Sequence, residues 1–430
     1  MLEGEGGRGR QDKGIVSQGS TSDCLHIVFS RDSGTGRETE RLQELEVKSP
    51  SDIRRLRLVA LDSSQLGDLA RDACSPDRAR RQHAQRFCNA LTAEAAVPLL
   101  CFHHIEELLQ HENDGVVARR LSFLRSLPAV AWIVSADGTP GLGTIVDILA
   151  AEARAALANP ALDAEGVRAT ARAKLIKVGS GEEAIASVEG FWPVLAAVAR
   201  ARAGKSREIV AITGGEIPAA PDVRVSQLTA GSLRDPMEAQ RFTLEAQERL
   251  AADIAVRGDR RIADAGSVSG RFWDRVRSEA AGLYAPSANP IIDDLRRRGI
   301  DAEDLADDPT VGEVIELIEY RAKLEVVTEA CGLDCSGLRS RASMHRIPAW
   351  RTECGLRAHG QRRPRNAGGD LTDRHLVCLA PHADLTFVDR RTAEDVRRLR
   401  GADSGLAPML DGVVKVGPYG KVAALLRGLP

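Results

Sequence analysis

The sequence predicts an α/β fold: a parallel sheet flanked by helices and interrupted by a large, mainly α-helical insertion. Short apolar runs alternate with helical patterns over residues 56–138, as in parallel sheets. Long helical patterns then dominate residues 139–345. The strand and helix alternation returns in residues 346–430, so we expect the first and last segments to build one sheet.

The first α/β segment contains three predicted strands, at 57–61, 97–102 and 129–134. Helical patterns from 65 to 91 and from 105 to 125 connect them. The preceding residues 1–55 are rich in Gly, Ser and charged side chains near the N-terminus and have little to bury. We predict that this segment is disordered or poorly structured.

The middle segment is predicted to be helical, apart from two short apolar runs at 209–212 and 223–225 that have strand composition. A match to a phosphate-binding loop at 199–206 follows a long helical pattern and precedes one of these runs. A functional loop of that kind needs a strand before it and a helix after it, so the match is discounted. The last segment then predicts a helix at 371–379 and a strand at 385–388.

Composition restricts the possible functions. Lys and Arg number 59 against 61 Asp and Glu, so nucleic-acid binding would depend on local basic patches. The eight cysteines are scattered through 430 residues, which indicates reduced thiols in a cytoplasmic protein. The chain is long enough for about two or three domains. Because no apolar run is long enough to cross a bilayer, we expect no membrane association.

Acidic residues stand where predicted strands end and where the following helices begin. The acids of this set are Asp62, Glu107, Asp370, Asp373 and Asp389. The carboxyl ends of parallel strands meet at the edge where open α/β sheets bind ligands. Converging carboxylates repel one another, and hard divalent cations relieve that repulsion. The pattern is typical of a site where two metal ions promote phosphodiester cleavage.

Three segments carry a resemblance to a known family: LVALDSSQLGDLA (58–70), VPLLCFHHIEELLQH (97–111) and GDLTDRHLVCLAPHADLTFVDRR (369–391). In order and local context, they resemble the PIN-domain ribonuclease superfamily. The resemblance implies a PIN-like sheet whose catalytic and metal-binding acids are Asp62, Glu107, Asp370 and Asp389, with Asp373 in support. It also implies Mg²⁺ or Mn²⁺ as cofactor and RNA as substrate. The long helical insertion departs from the compact domains usual in that family.

Each acid also has a structural explanation. Asp62 and Asp370 precede helical patterns and are good N-cap residues, and Glu107 could be a solvated helix residue. If every acid has only such a structural role, the chain is a helical interaction protein. A second alternative is a catalytically inactive PIN-like module that binds a protein partner through its helical region.

Basic residues flank the last two acid positions. We predict that Arg363, Arg365, Arg390 and Arg391 bind the phosphate backbone of the substrate. Aromatic residues make up only 3% of the chain, which argues against recognition by base stacking. His103 and His104 are expected at a junction between strand and helix, with at most a supporting role.

Overall fold

The computed structural model describes residues 56–214, 221–230, 235–281, 289–361 and 369–428. The predicted disordered segment 1–55 lies outside the described residues, as do Arg363 and Arg365. Six strands form one sheet in the order β4-β3-β2-β1-β5-β6. The strands are β1 (Arg57–Leu61), β2 (Ala96–Leu100), β3 (Val130–Ile133), β4 (Ile176–Gly179), β5 (Leu385–Val388) and β6 (Val413–Lys415).

Strand β1 is central and joins the two ends of the chain. It pairs in parallel with β2 on one side and with β5 on the other, with Val59 opposite Leu385 and Leu61 opposite Phe387. All neighbouring strands are parallel except β3 and β4. The predicted α/β class with a largely parallel sheet is therefore confirmed.

Helices cover both faces of the sheet. The first half of the chain contains α1 (Ser63–Ala73), α2 (Arg78–Ala93), α3 (Phe102–Leu109), α4 (Asp114–Arg125), α5 (Ile145–Ala158), α6 (Ala164–Leu175), α7 (Gly181–Glu189) and α8 (Trp192–Thr213). The second half contains α9 (Val225–Ala230), α10 (Pro236–Arg257), α11 (Ala265–Ala280), α12 (Pro290–Arg297), α13 (Val311–Cys331), α14 (Cys335–Arg341), α15 (Pro348–His359), α16 (Gly369–Val377), α17 (Arg390–Ala402) and α18 (Val422–Gly428).

Alternate residues of β1 face two different cores, as the two-residue period of a strand requires. Val59 and Leu61 pack against helices α1 to α4, together with α7, α8 and α18. Leu58 and Ala60 pack against α5, α6 and α13 to α16 on the opposite face. Burial on both faces explains why the strand is continuously apolar.

The segment between the two α/β blocks contributes to the sheet as well as to a separate helical core. Helices α5, α6, α13 and α14 cover the second face, and β4 extends the sheet edge. Helices α10 and α11 instead form a small core of their own around Leu250 and Trp273, which Ala211 of α8 joins. Within the described residues, no single helix has the length and apolar character of a membrane span; α7 and α8 reach it only as a pair bent by 80°.

The predicted strand at 209–212 is wrong, because these residues continue α8. The run at 223–225 forms only an isolated antiparallel bridge, between Arg224 and Thr310, and Val225 begins α9. The β-branched side chains favour strands only weakly, and burial of Val210 and Ala211 on one helical face outweighs that preference. The sequence 199–206 likewise lies inside α8, so it is not a phosphate-binding loop.

Candidate carboxylate site

Asp62 lies directly after β1 and begins α1. Its backbone N–H donates to the Phe387 carbonyl of β5 at 2.9 Å, and its Oδ1 accepts the Ser64 N–H at 2.8 Å. The predicted N-cap role is thus confirmed for one carboxylate oxygen. Among the described residues, no hydrogen-bond donor reaches Oδ2, so capping leaves half of this carboxylate for another partner.

Asp389 repeats this arrangement on the neighbouring strand. It follows β5 and caps α17 through Oδ1, which accepts the Thr392 N–H at 2.7 Å. Because β1 and β5 are adjacent and parallel, Asp62 and Asp389 stand at the same edge of the sheet.

The remaining acids come from two helices packed at that edge. Glu107 is partly buried on α3, so the interpretation as a fully solvated residue is wrong. Asp370 lies inside α16, which begins at Gly369, and its side chain is buried. It is therefore not the N-cap of this helix. Asp373 lies one turn later on the same helix.

The five carboxylates interact electrostatically, and their charges contribute to the raised pKa values of two of them. Burial, and then the charges of Asp62, Glu107, Asp370 and Asp389, raise the pKa of Asp373 to about 8. Burial and the neighbouring Asp62 raise the pKa of Glu107 to about 7. The buried Ser63 hydroxyl faces Glu107 and opposes that rise, although it lies outside hydrogen-bonding geometry.

Three of the five carboxylates line two adjoining cavities. Asp62 and Asp373 line a narrow cavity at the ends of β1 and β5. Asp373 and Asp370 line a cleft of about 360 Å³, which we call the acidic cleft. The C-terminal end of α8 also lines this cleft, with Val210, Thr213 and Gly214.

The donor set has the chemistry of a Mg²⁺ or Mn²⁺ site, since all five side chains offer hard carboxylate oxygens. In the described part of the chain, no three His, Cys, Asp or Glu side chains have the geometry to hold a metal ion. The carboxylates are therefore near enough to repel one another, but they do not form a closed coordination shell.

His104 links the strand end beside Asp62 to the helix that carries Glu107. Its Nε2 donates to the Leu61 carbonyl at 2.9 Å, and its Nδ1 accepts the Cys101 N–H at 3.1 Å. These two bonds place the ring proton on Nε2. Burial lowers the pKa of His104 to about 4, so the ring is neutral at pH 7. The expected position at a junction between strand and helix is confirmed for both His103 and His104.

A second set of contacts beside the site was missed by sequence reasoning. Arg202 of α8 donates to Glu106 at 3.3 Å, and its Nε and Nη2 are buried without a hydrogen-bond partner. His103 contacts Glu106 at 3.4 Å and packs against His375 of α16, with ring centroids 4.9 Å apart and ring planes inclined by 41°. The sequence carries no local signal for these pairs, because they join helices far apart in the chain.

Arg390 and Arg391 are exposed in the first turn of α17, directly after Asp389. Together with Arg397 and Lys415 they line a groove of about 730 Å³. The structure thus brings two of the four predicted substrate-binding arginines near the acids.

Comparisons with known proteins give no identification: no family model matches the chain, and no curated protein or solved structure is significantly similar to it. Only the sequence motifs resemble PIN domains, and no comparison tests that resemblance.

Proposed function

We propose that this protein is a metal-dependent nuclease that hydrolyses RNA phosphodiester bonds at its carboxylate site. The observation that carries the proposal is the convergence of five carboxylates from β1, α3, α16 and β5 at the carboxyl edge of a parallel sheet. As an extension of the motif resemblance, we propose that the sheet and these helices are PIN-like and that the protein works in the cytoplasm.

Cation binding is a physical reason for such a cluster to exist. Buried carboxylates that raise one another's pKa destabilise the fold, and a divalent cation removes that cost. When bound, Mg²⁺ or Mn²⁺ would supply Lewis-acid activation of the phosphate and of the attacking water. Strongly perturbed carboxyl groups in a cleft are also a recurrent mark of functional sites.

The chain itself contributes rigid placement of the acids. Asp62 and Asp389 are each fixed through Oδ1 by a helix N-terminus, which leaves Oδ2 for a cation. The pKa values of Glu107 and Asp373 are raised to about 7 and about 8, so a bound cation would displace protons from these groups near neutral pH. Arg390 and Arg391 would hold the phosphates next to the scissile bond.

The test is cleavage of single-stranded RNA in Mn²⁺ or Mg²⁺ and its loss in EDTA. We expect Asp62→Asn and Asp370→Asn each to reduce the rate by about two orders of magnitude or more. Asp77→Asn is the matched control, because Asp77 also caps a helix, α2, through the Ala79 N–H at 2.8 Å and is not among the site acids. Full activity in both site variants would falsify the assignment.

A second candidate is a catalytically inactive module whose helical region binds a protein partner. Two observations favour it: among the described residues no side-chain group is preformed for a metal, and α10 exposes Met237, Leu244 and Val256. This candidate requires that the purified protein neither binds Mn²⁺ nor cleaves RNA.

A further inference from the structure

A basic groove lies beside the acidic cleft. Its charged lining consists of four cations and one carboxylate: Arg390, Arg391, Arg397, Lys415 and Glu394. Arg397 donates to Glu394 at 2.6 Å, but this ion pair is exposed and therefore weak, so Arg397 can still contact a phosphate. We call this surface the basic groove.

Arg390 and Arg391 have no evident role in stabilising the fold. Both are exposed, and in the part of the chain that the structure describes neither forms an ion pair. They lie in the first turn of α17, where the helix dipole is positive and disfavours cations. A bound anion would be attracted by both side chains and by the helix end.

The basic groove adjoins the two cavities that the acids line. Gln361 lines both the basic groove and the acidic cleft. Asp373 and Thr392 in turn line both the acidic cleft and the narrow cavity that contains Asp62. A polyanion lying along the groove therefore continues past Gln361 towards the carboxylates.

The dimensions of the cleft limit what can follow this path. Its volume of about 360 Å³ suits one small-molecule-sized unit, comparable with a single nucleotide. The end of α8 also lines the cleft, with Thr213 and Gly214. A double helix is too wide and too stiff to enter such a space.

We propose that a single strand of RNA reaches the acidic cleft by lying along the basic groove, with Arg390, Arg391, Arg397 and Lys415 on its phosphates and Gln361 at the turn into the cleft. None of the described residues that line the groove is aromatic, so contacts are made to the backbone and binding does not depend on sequence. This inference deepens the proposed nuclease function and rests on the same acids as the end of the path.

The experiment measures binding of a fluorescent uridine oligonucleotide to the full chain in EDTA, over a series of salt concentrations. We expect Arg397→Gln and Lys415→Gln each to weaken binding several-fold and to lower the salt slope by about 0.7, the loss of one phosphate contact. The variant that combines Arg390→Gln and Arg391→Gln should lower the salt slope by about twice as much as a single substitution does.

The matched control is Arg398→Gln. Arg398 follows Arg397 on α17 and also donates to Glu394, at 3.3 Å, but it does not line the groove. Its variant should bind RNA as the wild type does. Double-stranded RNA should compete at least about tenfold more weakly than the single strand. Equal effects of the Arg397 and Arg398 substitutions, or equal binding of the duplex, would overturn the proposed path.

Binding in EDTA separates this inference from the nuclease proposal. If the groove variants lose binding while the wild type never cleaves RNA in Mn²⁺, the path stands and the nuclease assignment fails. If the variants bind normally and the wild type cleaves, the nuclease assignment stands and the path is wrong. Circular dichroism of each variant verifies that the fold is intact.

Discussion

At the scale of single residues, the acids of this protein combine structural and electrostatic roles. Asp62 and Asp389 accept backbone N–H groups at helix N-termini, whereas Glu107 and Asp373 cap no helix. The cap interpretation therefore explains two of the five carboxylates, and it does not explain why the other three lie against them. Repulsion within the cluster should be measurable as a change in stability with pH.

We expect Asp373→Asn to stabilise the metal-free protein, and by more as pH rises. The folded-state pKa of about 8 lies above the ordinary value of 3.8, so the folded state binds more protons than the unfolded state between these values. Stability of the wild type from this group therefore falls as pH rises through that window. The melting-temperature difference between variant and wild type, in EDTA, should grow from pH 4 towards pH 8 and then level off.

A constant difference across this pH range would contradict the raised pKa. Asp77→Asn again serves as the control, because Asp77 is an exposed cap residue. Its effect should not grow over the same window.

At the scale of secondary-structure elements, the site depends on how strands and helices are joined. His104 ties α3 to the end of β1, and the Asp62 N–H ties that same end to β5. One side-chain and one main-chain hydrogen bond thus link the three elements that place Asp62, Glu107 and Asp389.

Substitution of His104 tests this placement. His104→Leu leaves the Leu61 carbonyl and the Cys101 N–H without their buried partners, which should cost about 1–3 kcal/mol of unfolding free energy. His104→Gln offers a donor and an acceptor and should recover part of the loss. Urea unfolding at pH 7 measures both, and equal stability of the Leu variant and the wild type would show that the link is dispensable.

The elements that sequence predicted best are those buried on both sides. Strands β1, β2 and β5 are short apolar runs with a clear beginning and end, so the hydrophobic pattern predicts them correctly. The same pattern therefore predicts the positions of the acids that follow β1 and β5. Strand β4 was missed because it continues directly from α6 without a turn residue and is only half-buried at the sheet edge. Residues 209–212 resemble a strand in composition, yet tertiary packing keeps them helical.

For the site, the acids could be predicted from the sequence, but the residues that surround them could not. A carboxylate after a strand is a local signal. By contrast, two contacts depend on how distant helices pack: Arg202 with Glu106, and His375 with His103. No spacing rule relates residues so far apart in the chain.

At the scale of the whole molecule, metal binding should be coupled to folding. A cation that binds only the folded state stabilises it by mass action. We expect millimolar Mn²⁺ to raise the melting temperature of the wild type. Asp62→Asn should melt at or above the temperature of the metal-free wild type, because one repelling charge is gone, and should gain less from Mn²⁺.

Differential scanning fluorimetry with Mn²⁺ and with EDTA measures this difference, with Asp77→Asn as the variant that should respond as the wild type does. An absent metal response in the wild type would favour the inactive module. Because Glu107 and Asp373 are protonated near neutral pH, the response should be larger at pH 8.5 than at pH 6.

The pairing of β1 with β5 also determines when the protein can fold during its synthesis. Leu58 donates its N–H to Asp384, 326 residues further along the chain, at 2.7 Å. While the ribosome makes the residues between them, β1 has a neighbour on one side only, and its other edge stays open to unwanted pairing. Closing so long a loop is slow, which lengthens the exposure of apolar strands. We therefore expect the nascent chain to need protection by chaperones until β5 emerges, and a message truncated before this strand yields a polypeptide with an open sheet edge and without Asp389.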